Sequence, residues 1–369
     1  MIRLRYENVE VDDKVDTTQD GSDAITLKTR ATYTSGDFNG FGMTLEFDDV
    51  TSLKSVNYPD KVNSGESGPT IADPEGTGVN QVYISYKAMD TTAKYGRQRI
   101  LIGNQRFVGG VGWRQNEQTY DALSVSNNSI KNLTVFAAHV YNVDGITGTN
   151  TDHDTNLLNI AYKTPIGKAT TYYYDVEDES AEAGSKTLGA SFAGKVDAGD
   201  AKILFNVEFA KQSENAKTTD YDANYTHIMG GVSIAGITAK LGLESLGADD
   251  DAGIGFATPL ATKHKFQGWT DNFLATPSTG IDDLYVSVGT KVAGIKLLAV
   301  YHNFTTNEKD VAAGIKDGDE HGSEIGFVVA KKLDNGIGLS LKYADFSKGD
   351  DALGKKDTTK LWLSSTYKF

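Results

Sequence analysis

Segments of about ten residues along the chain alternate apolar and polar positions, the period-two signature of a strand with two unlike faces. In "DAITLKTRATY" Ile25, Leu27, Ala31 and Tyr33 share one face, while Lys28, Arg30 and Thr32 share the other. The pattern returns in "NQVYISYKAM", "NLTVFAAHVYN", "GKATTYYYDVE", "AKILFNVEFAK", "DDLYVSVGTKV", "GIKLLAVYHNF", "GLSLKYADF" and "KLWLSSTYKF". Counting all such segments predicts roughly 18 strands, each near the length that a tilted strand needs to cross a bilayer.

The connections decide between architectures. Short ones fall near residues 35–39, 90–94, 128–131, 164–167, 196–199, 235–236, 293–294 and 333–336. Long ones fall near 11–22, 51–78, 104–118, 143–152, 178–184, 212–222, 248–280, 306–320 and 348–356, and the two kinds alternate. This is the signature of a transmembrane antiparallel β-barrel with short periplasmic turns and long extracellular loops. A soluble sandwich has no reason to sort its loops by length. A lipid-exposed sheet edge would leave backbone groups unpaired, so the first and last strands are expected to pair. Phe369 ends the chain, with Tyr367, Leu363 and Leu361 on the same alternate face, as in the carboxy-terminal strands of outer-membrane barrels. Through Phe369 the chain would meet the barrel assembly machinery. Residues 1–369 are read as a single barrel domain.

Composition narrows the setting. Gly is frequent at 39 residues, Pro is scarce at 6, and there is no cysteine, which suits an exported protein and excludes thiolate metal sites. No apolar run approaches the length of a membrane helix. "MIRLRYENVE" lacks the apolar stretch of a secretory leader, so Met1 is read as the start of a processed chain exported to the outer membrane of a Gram-negative bacterium. The formal net charge of −14 argues against nucleic acid as a partner.

Against that acidic background the arginines are confined to the first third: Arg3, Arg5, Arg30, Arg97, Arg99, Arg106 and Arg114. If apolar positions face lipid, Arg3, Arg5, Glu7, Lys28, Arg30, Glu46, Asp48, Lys87, Arg97 and Arg99 face the lumen, with Ile100 and Ile102 outside. Charge on the lipid face would cost about 2–4 kcal/mol per Arg or Lys at mid-bilayer. Two roles for this sector stay open. It is either a ladder in which Arg3, Arg5, Arg30, Arg97 and Arg99 pair with Glu7, Glu46 and Asp48 to stabilise the wall, or a positively biased track for anionic solutes. The following segment, residues 104–118, carries Arg106, Trp113 and Arg114 with glycines at 109, 110 and 112. It is too apolar to hang in water and is predicted to fold inward as a constriction loop, with lying over the outer rim as the alternative. The loop 248–280 is placed at the mouth, with a short helix expected to start at Thr258–Pro259 and with Lys263, His264, Lys265 and Trp269 able to touch a sugar acid.

"GRQRILIGNQRFVGGVGWRQNEQTYDA" and "FATPLATKHKFQGWTDNFLATPSTGIDDLY" together resemble the alginate-export family of outer-membrane proteins. The resemblance implies an 18-stranded outer-membrane channel with an arginine-rich constriction, in which Arg97, Arg99, Arg106 and Arg114 are pore cations. It also favours a monomer over a trimer. The late turn is only "LDNG", shorter than the periplasmic plug of the exporter.

The function expected is passive passage of small hydrophilic, anionic solutes of carboxylate or uronate type, in a barrel surrounded by lipid and lipopolysaccharide. A general diffusion porin of little selectivity is the alternative. An outer-membrane hydrolase is more distant, because no Ser, His, Asp set announces itself. No cofactor or metal is called for: the six histidines are scattered, and Asp249, Asp250 and Asp251 read as a solvated run that could also hold Ca2+.

Overall fold

The protein is seen in a computed structural model that describes residues 1–12, 21–53, 58–214 and 220–369. Its strands are β1 (Ile2–Asp12), β2 (Gly21–Thr34), β3 (Phe41–Ser52), β4 (Gly76–Ala88), β5 (Thr91–Gln98), β6 (Thr119–Asn127), β7 (Leu133–Asp144), β8 (Asn150–Lys163) and β9 (Gly167–Asp178). They continue as β10 (Ala183–Ala198), β11 (Ala201–Glu214), β12 (Asp222–Ile234), β13 (Ile237–Leu246), β14 (Ile281–Val292), β15 (Ile295–Thr305), β16 (Glu320–Lys332), β17 (Gly338–Lys348) and β18 (Asp357–Tyr367). Each strand pairs antiparallel with its sequence neighbours in one 18-stranded sheet. β1 closes on β18 from Ile2↔Tyr367 to Asp12↔Asp357, so the wall has no free seam there.

Alternation follows from which face meets lipid. Ile2, Leu4, Phe41, Met43, Val82, Ile84 and Leu363 are exposed outward, whereas Arg5, Glu7, Lys28, Glu46 and Asp48 are buried on the inner face. Among the described residues turn lengths sort as expected except that the β7–β8 and β9–β10 connections shrink to 145–149 and 179–182, because those strands extend further outward; residues 13–20, 54–57 and 215–219 of the long connections expected at 11–22, 51–78 and 212–222 lie outside the described residues.

The lumen is not uniformly polar. On its outer side Ile100, Val108, Phe256, Leu260 and Phe273 pack with inward-facing Val140, Leu157, Tyr172, Tyr225, Phe304 and Phe346 in a buried apolar cluster. The Phe107 ring lies 5.2 Å from both Tyr172 and Tyr225. Residues 58–75 add a smaller cluster through Tyr58 and Ile71 against Val9 and Ala24. At about 1.5–3 kcal/mol for each large apolar side chain fully removed from water, this packing holds the inward loops as parts of the fold.

Ile100 and Ile102 correct the lipid-facing assignment. β5 ends at Gln98, the chain turns inward, and Ile100 is buried in the lumen cluster with Ile102 packed against it. Alternating apolar residues look the same in sequence whether they meet lipid or an internal core.

Candidate functional site: the constriction

The chain leaves the wall after Gln98 and returns at Thr119. In between, residues 99–118 cross the barrel and are tied down on both sides. Towards β13, Arg106 forms an ion pair with Glu244 at 2.7 Å and donates to Gln267 Oε1 at 2.9 Å. At the loop's far end the Gly109 amide donates to Leu260 O (2.9 Å) and the Val111 amide to Thr262 Oγ1 (3.1 Å). Lys265 Nζ donates to Asn104 O at 2.8 Å. The segment 247–280 thus clamps the 99–118 loop. Its regular content among the described residues is a single 3-10 turn at Lys263–Lys265 and a two-residue ladder, not a helix from Thr258.

On the β1–β2 side the loop is held by its carbonyls. Arg3 donates to Gln115 Oε1 (2.8 Å), Gly112 O (3.1 Å) and Arg114 O. Arg5 donates to Trp113 O and to Asp73 Oδ2 (3.2 Å), with its guanidinium 4.6 Å from the Trp113 ring. Lys28 reaches Gln115 O and Asp48, the latter at 2.8 Å. Arg114 Nη1 donates to both Glu7 oxygens at 3.0 and 2.9 Å, and its Nη2 donates to Asp271 at 3.2 Å. These residues fasten the loop to the wall, and Arg5, Arg106 and Arg114 are buried.

Arg30 and Arg99 form a second group with Glu46, Asp48 and Glu117. Arg30 forks onto Asp48 (2.6 Å twice) and donates to Glu117 (2.9 Å), and Arg99 donates to both Glu46 and Glu117. A bulge between Glu46 and Phe47 turns both Asn80 and Gln81 inward, and both donate to Glu46. Burial alone would raise the Glu117 carboxyl, but the charges of Arg30, Arg99 and Lys28 outweigh it and hold it at about 2.

Arg97 stands apart. It pairs with exposed Val82 and shares a face with Tyr95, so it lies on the outward parity, where the β5 ladder ends. Gly96, at φ +119°, precedes it, and a Cβ there would sit 2.4 Å from Val82 O. Arg97 is neutralised by Asp121 (2.8 and 3.0 Å) and Asp144 (2.9 Å). Lys87 shares the lumen parity but sits exposed beside the periplasmic turn at 89–90.

Trp113 lines a cage rather than an open passage. Lys342 Nζ is 4.3 Å from the Trp113 ring, 4.0 Å from Trp269 and 5.3 Å from Trp362. His264, which stacks on Trp113 at 4.8 Å, is bonded by Lys342 at Nε2 (2.7 Å) and lies 2.6 Å from Asp271 through Nδ1. Burial lowers its pKa to about 3, aided by Lys342 and Arg114 against the pull of Asp271, so the ring is neutral and donates to Asp271.

Two inner cavities flank the loop. One, of about 520 Å3, runs to the periplasmic rim and is lined by Lys94, Arg99, Lys163 and Lys168, with no carboxylate in its lining. The other, of about 550 Å3, mixes Lys240 and Lys265 with Glu244 and Asp283 among aromatic rings. Sequence reasoning missed Asp73, Glu117, Asp121, Asp144, Glu244 and Asp271 as partners, and the lysines of the first cavity. Among the described residues no His, Cys, Asp and Glu group has the geometry to hold a metal. Asp249 spends both carboxylate oxygens on the Asp222 and Ala252 amides.

The profile of the family described as alginate export matches residues 1–272. The chain belongs to the alginate export family. No curated protein matches the sequence. Among solved structures the chain is similar to OpdK of Pseudomonas aeruginosa crystallised with vanillate, at 14% identity over 99% of this chain and 96% of that one, with a TM-score of 0.79. It is similar to OccK9 (OpdG) of the same organism, at 15% identity, the same two coverages and a TM-score of 0.77. It is also similar to OccAB4 of Acinetobacter baumannii, at 13% identity, the same coverages and a TM-score of 0.73. These likenesses carry the fold. This member of the alginate export family is an outer-membrane β-barrel channel, not an enzyme.

Proposed function

We propose that the channel passes small hydrophilic anions of carboxylate or uronate type. The reading is carried by the 520 Å3 cavity, whose lining holds Lys94, Arg99, Lys163 and Lys168 and no acid. A water-filled passage with one sign of fixed charge concentrates counter-ions and replaces part of their hydration. Arg99 stands at the inner end of this cavity and is the arginine best placed to meet a solute. OpdK, which shares the fold, was crystallised with vanillate, an aromatic carboxylate and so a bound molecule of the same chemical class. The closed barrel with its apolar outer face would sit as a monomer in lipid and lipopolysaccharide, with Phe369 meeting the assembly machinery.

The test is the reversal potential of single channels in planar bilayers under a KCl gradient. Anion selectivity is expected, and replacing Lys94, Lys163 and Lys168 together by Gln should move the reversal potential towards zero. Cation selectivity that the triple variant leaves unchanged would overturn the reading. A general diffusion porin is the second reading, favoured by the saturation of Arg30, Arg106 and Arg114 with carboxylates. It requires a reversal potential near zero from the outset.

A further inference from the structure

β5 is the shortest wall strand, at 8 residues. Its ladder with β4 ends at Val82↔Arg97, so residues 76–81 of β4 run on with no strand beside them on that edge. The chain that would have continued the wall turns inward instead. β4 and β6 therefore separate beyond Arg97, and the rim carries a notch. A cavity of about 290 Å3 opens there, with Gly78 and Val79 on one lip, Asp144 and Thr147 on the other, and Asn116 and Glu117 as its floor.

Arg97 spans this notch. It donates to Val79 O at 3.4 Å on the β4 lip and to Asp144 at 2.9 Å on the β7 lip. Glu117, on the floor, is bonded to Arg99, and Arg99 also lines the cation-rich inner cavity. The Glu117–Arg99 pair, held in its cluster by Arg30 and Glu46, thus has one member in the lining of each cavity. Elsewhere, among the described residues, two apolar clusters and the clamped loops pack within the lumen.

We infer that solutes enter the channel off its axis, through the notch above β5, and pass from Arg97 to Arg99. This rests on the reading of the protein as an anion-passing channel. Arg97 and Arg99 keep 20% and 23% of their side-chain surface in water, whereas Arg5 and Arg106 keep 2% each. An arriving carboxylate takes the place of Asp144 on Arg97, then that of Glu117 on Arg99. Each step exchanges one ion pair for another, so no guanidinium is left bare in a confined space.

The absence of native cysteine makes the test direct. A single cysteine is placed on each lip in turn, Gly78→Cys and Thr147→Cys; a Cβ at Gly78 meets nothing within 4 Å. A third variant, Val311→Cys, lies on the 306–319 loop at a position 79% exposed. Each is inserted into planar bilayers, and single-channel current is read before and after reaction with a bulky maleimide-polyethylene glycol. Modification at 78 and at 147 should cut conductance by about twofold or more, while modification at 311 leaves it unchanged. A barrel that conducts and keeps its current after modification at both lips overturns the off-axis entrance and leaves the channel reading standing. Equal block from position 311 also overturns it. A barrel that never conducts overturns the channel reading and this one with it.

Discussion

Arg114 and Arg99 lie on the same loop, yet their substitutions should have opposite consequences. Arg114→Met removes the paired bonds to Glu7, whose side chain is 1% exposed and whose ion-pair partner among the described residues is Arg114. Asp271 would retain Lys360 at 2.8 Å and His264 at 2.6 Å, and Asp73 would retain Arg5 at 3.2 Å. The net effect is one buried carboxylate stripped of its counter-charge, which costs about 3–5 kcal/mol. Arg99→Ala leaves no carboxylate bare, since Glu46 keeps Arg30, Thr32 and Asn80, and Glu117 keeps Arg30. Its cost should stay below about 1 kcal/mol. The assay is urea unfolding in lipid vesicles, followed by tryptophan emission and by the heat-modifiable gel mobility of folded barrels. Adding Glu7→Gln to Arg114→Met should restore part of the loss, because the remaining group is then neutral. In bilayers the ranking reverses: Arg99→Ala shifts the reversal potential, whereas Arg114→Met, where it folds, changes current noise more than selectivity. An Arg114→Met barrel as stable as the native one, or an Arg99→Ala barrel that is less stable than it, would refute this division.

Three further outcomes follow from the same geometry. His264 binds a proton in the unfolded chain below about 6.5 but in the native state only near 3, so stability should fall as pH drops through that window, by at most about 1.4 kcal/mol per pH unit. Urea midpoints at pH 7 and pH 4 check it, and equal pH slopes for native protein and His264→Gln would show that the ring contributes nothing. Lys342→Met empties the cation from between all three tryptophans and should cost about 2 kcal/mol with an altered emission maximum; an unchanged spectrum would contradict the cage. Gly109→Ala would place a Cβ 2.2 Å from Thr262 Oγ1 and 2.8 Å from Gln105 Cβ, so the loop should detach from its clamp and conductance should rise and become noisier. Native-like conductance in that variant would show that the clamp does not set the passage.

Strand count and closure were legible because each depends on a local rule: a period of two, alternating connection lengths, and the cost of a lipid-exposed edge. The same rule misplaces Ile100 and Ile102, since alternation carries no mark of where a strand leaves its ladder. Gly96 is the one local sign that β5 is about to end, and it says nothing about direction. Arg97 and Arg99 also share a parity in the sequence, and only the break at Gln98 sends one to the rim and the other into the lumen. The ion pairs were harder still. Glu7 meets Arg114 across 107 positions, and Arg106 bonds a carboxylate on β13, so no spacing rule could join them. What composition did signal is that arginine, not lysine, was placed where carboxylates and carbonyls had to be gripped at two points at once. Most of that gripping fixes the loop, as Arg3, Arg5 and Arg114 do in fastening it to β1. In the proposed function the selective charge then falls to Arg99 and to lysines such as Lys94 and Lys168, whose ordinary spacing in the strands gave no reason to single them out.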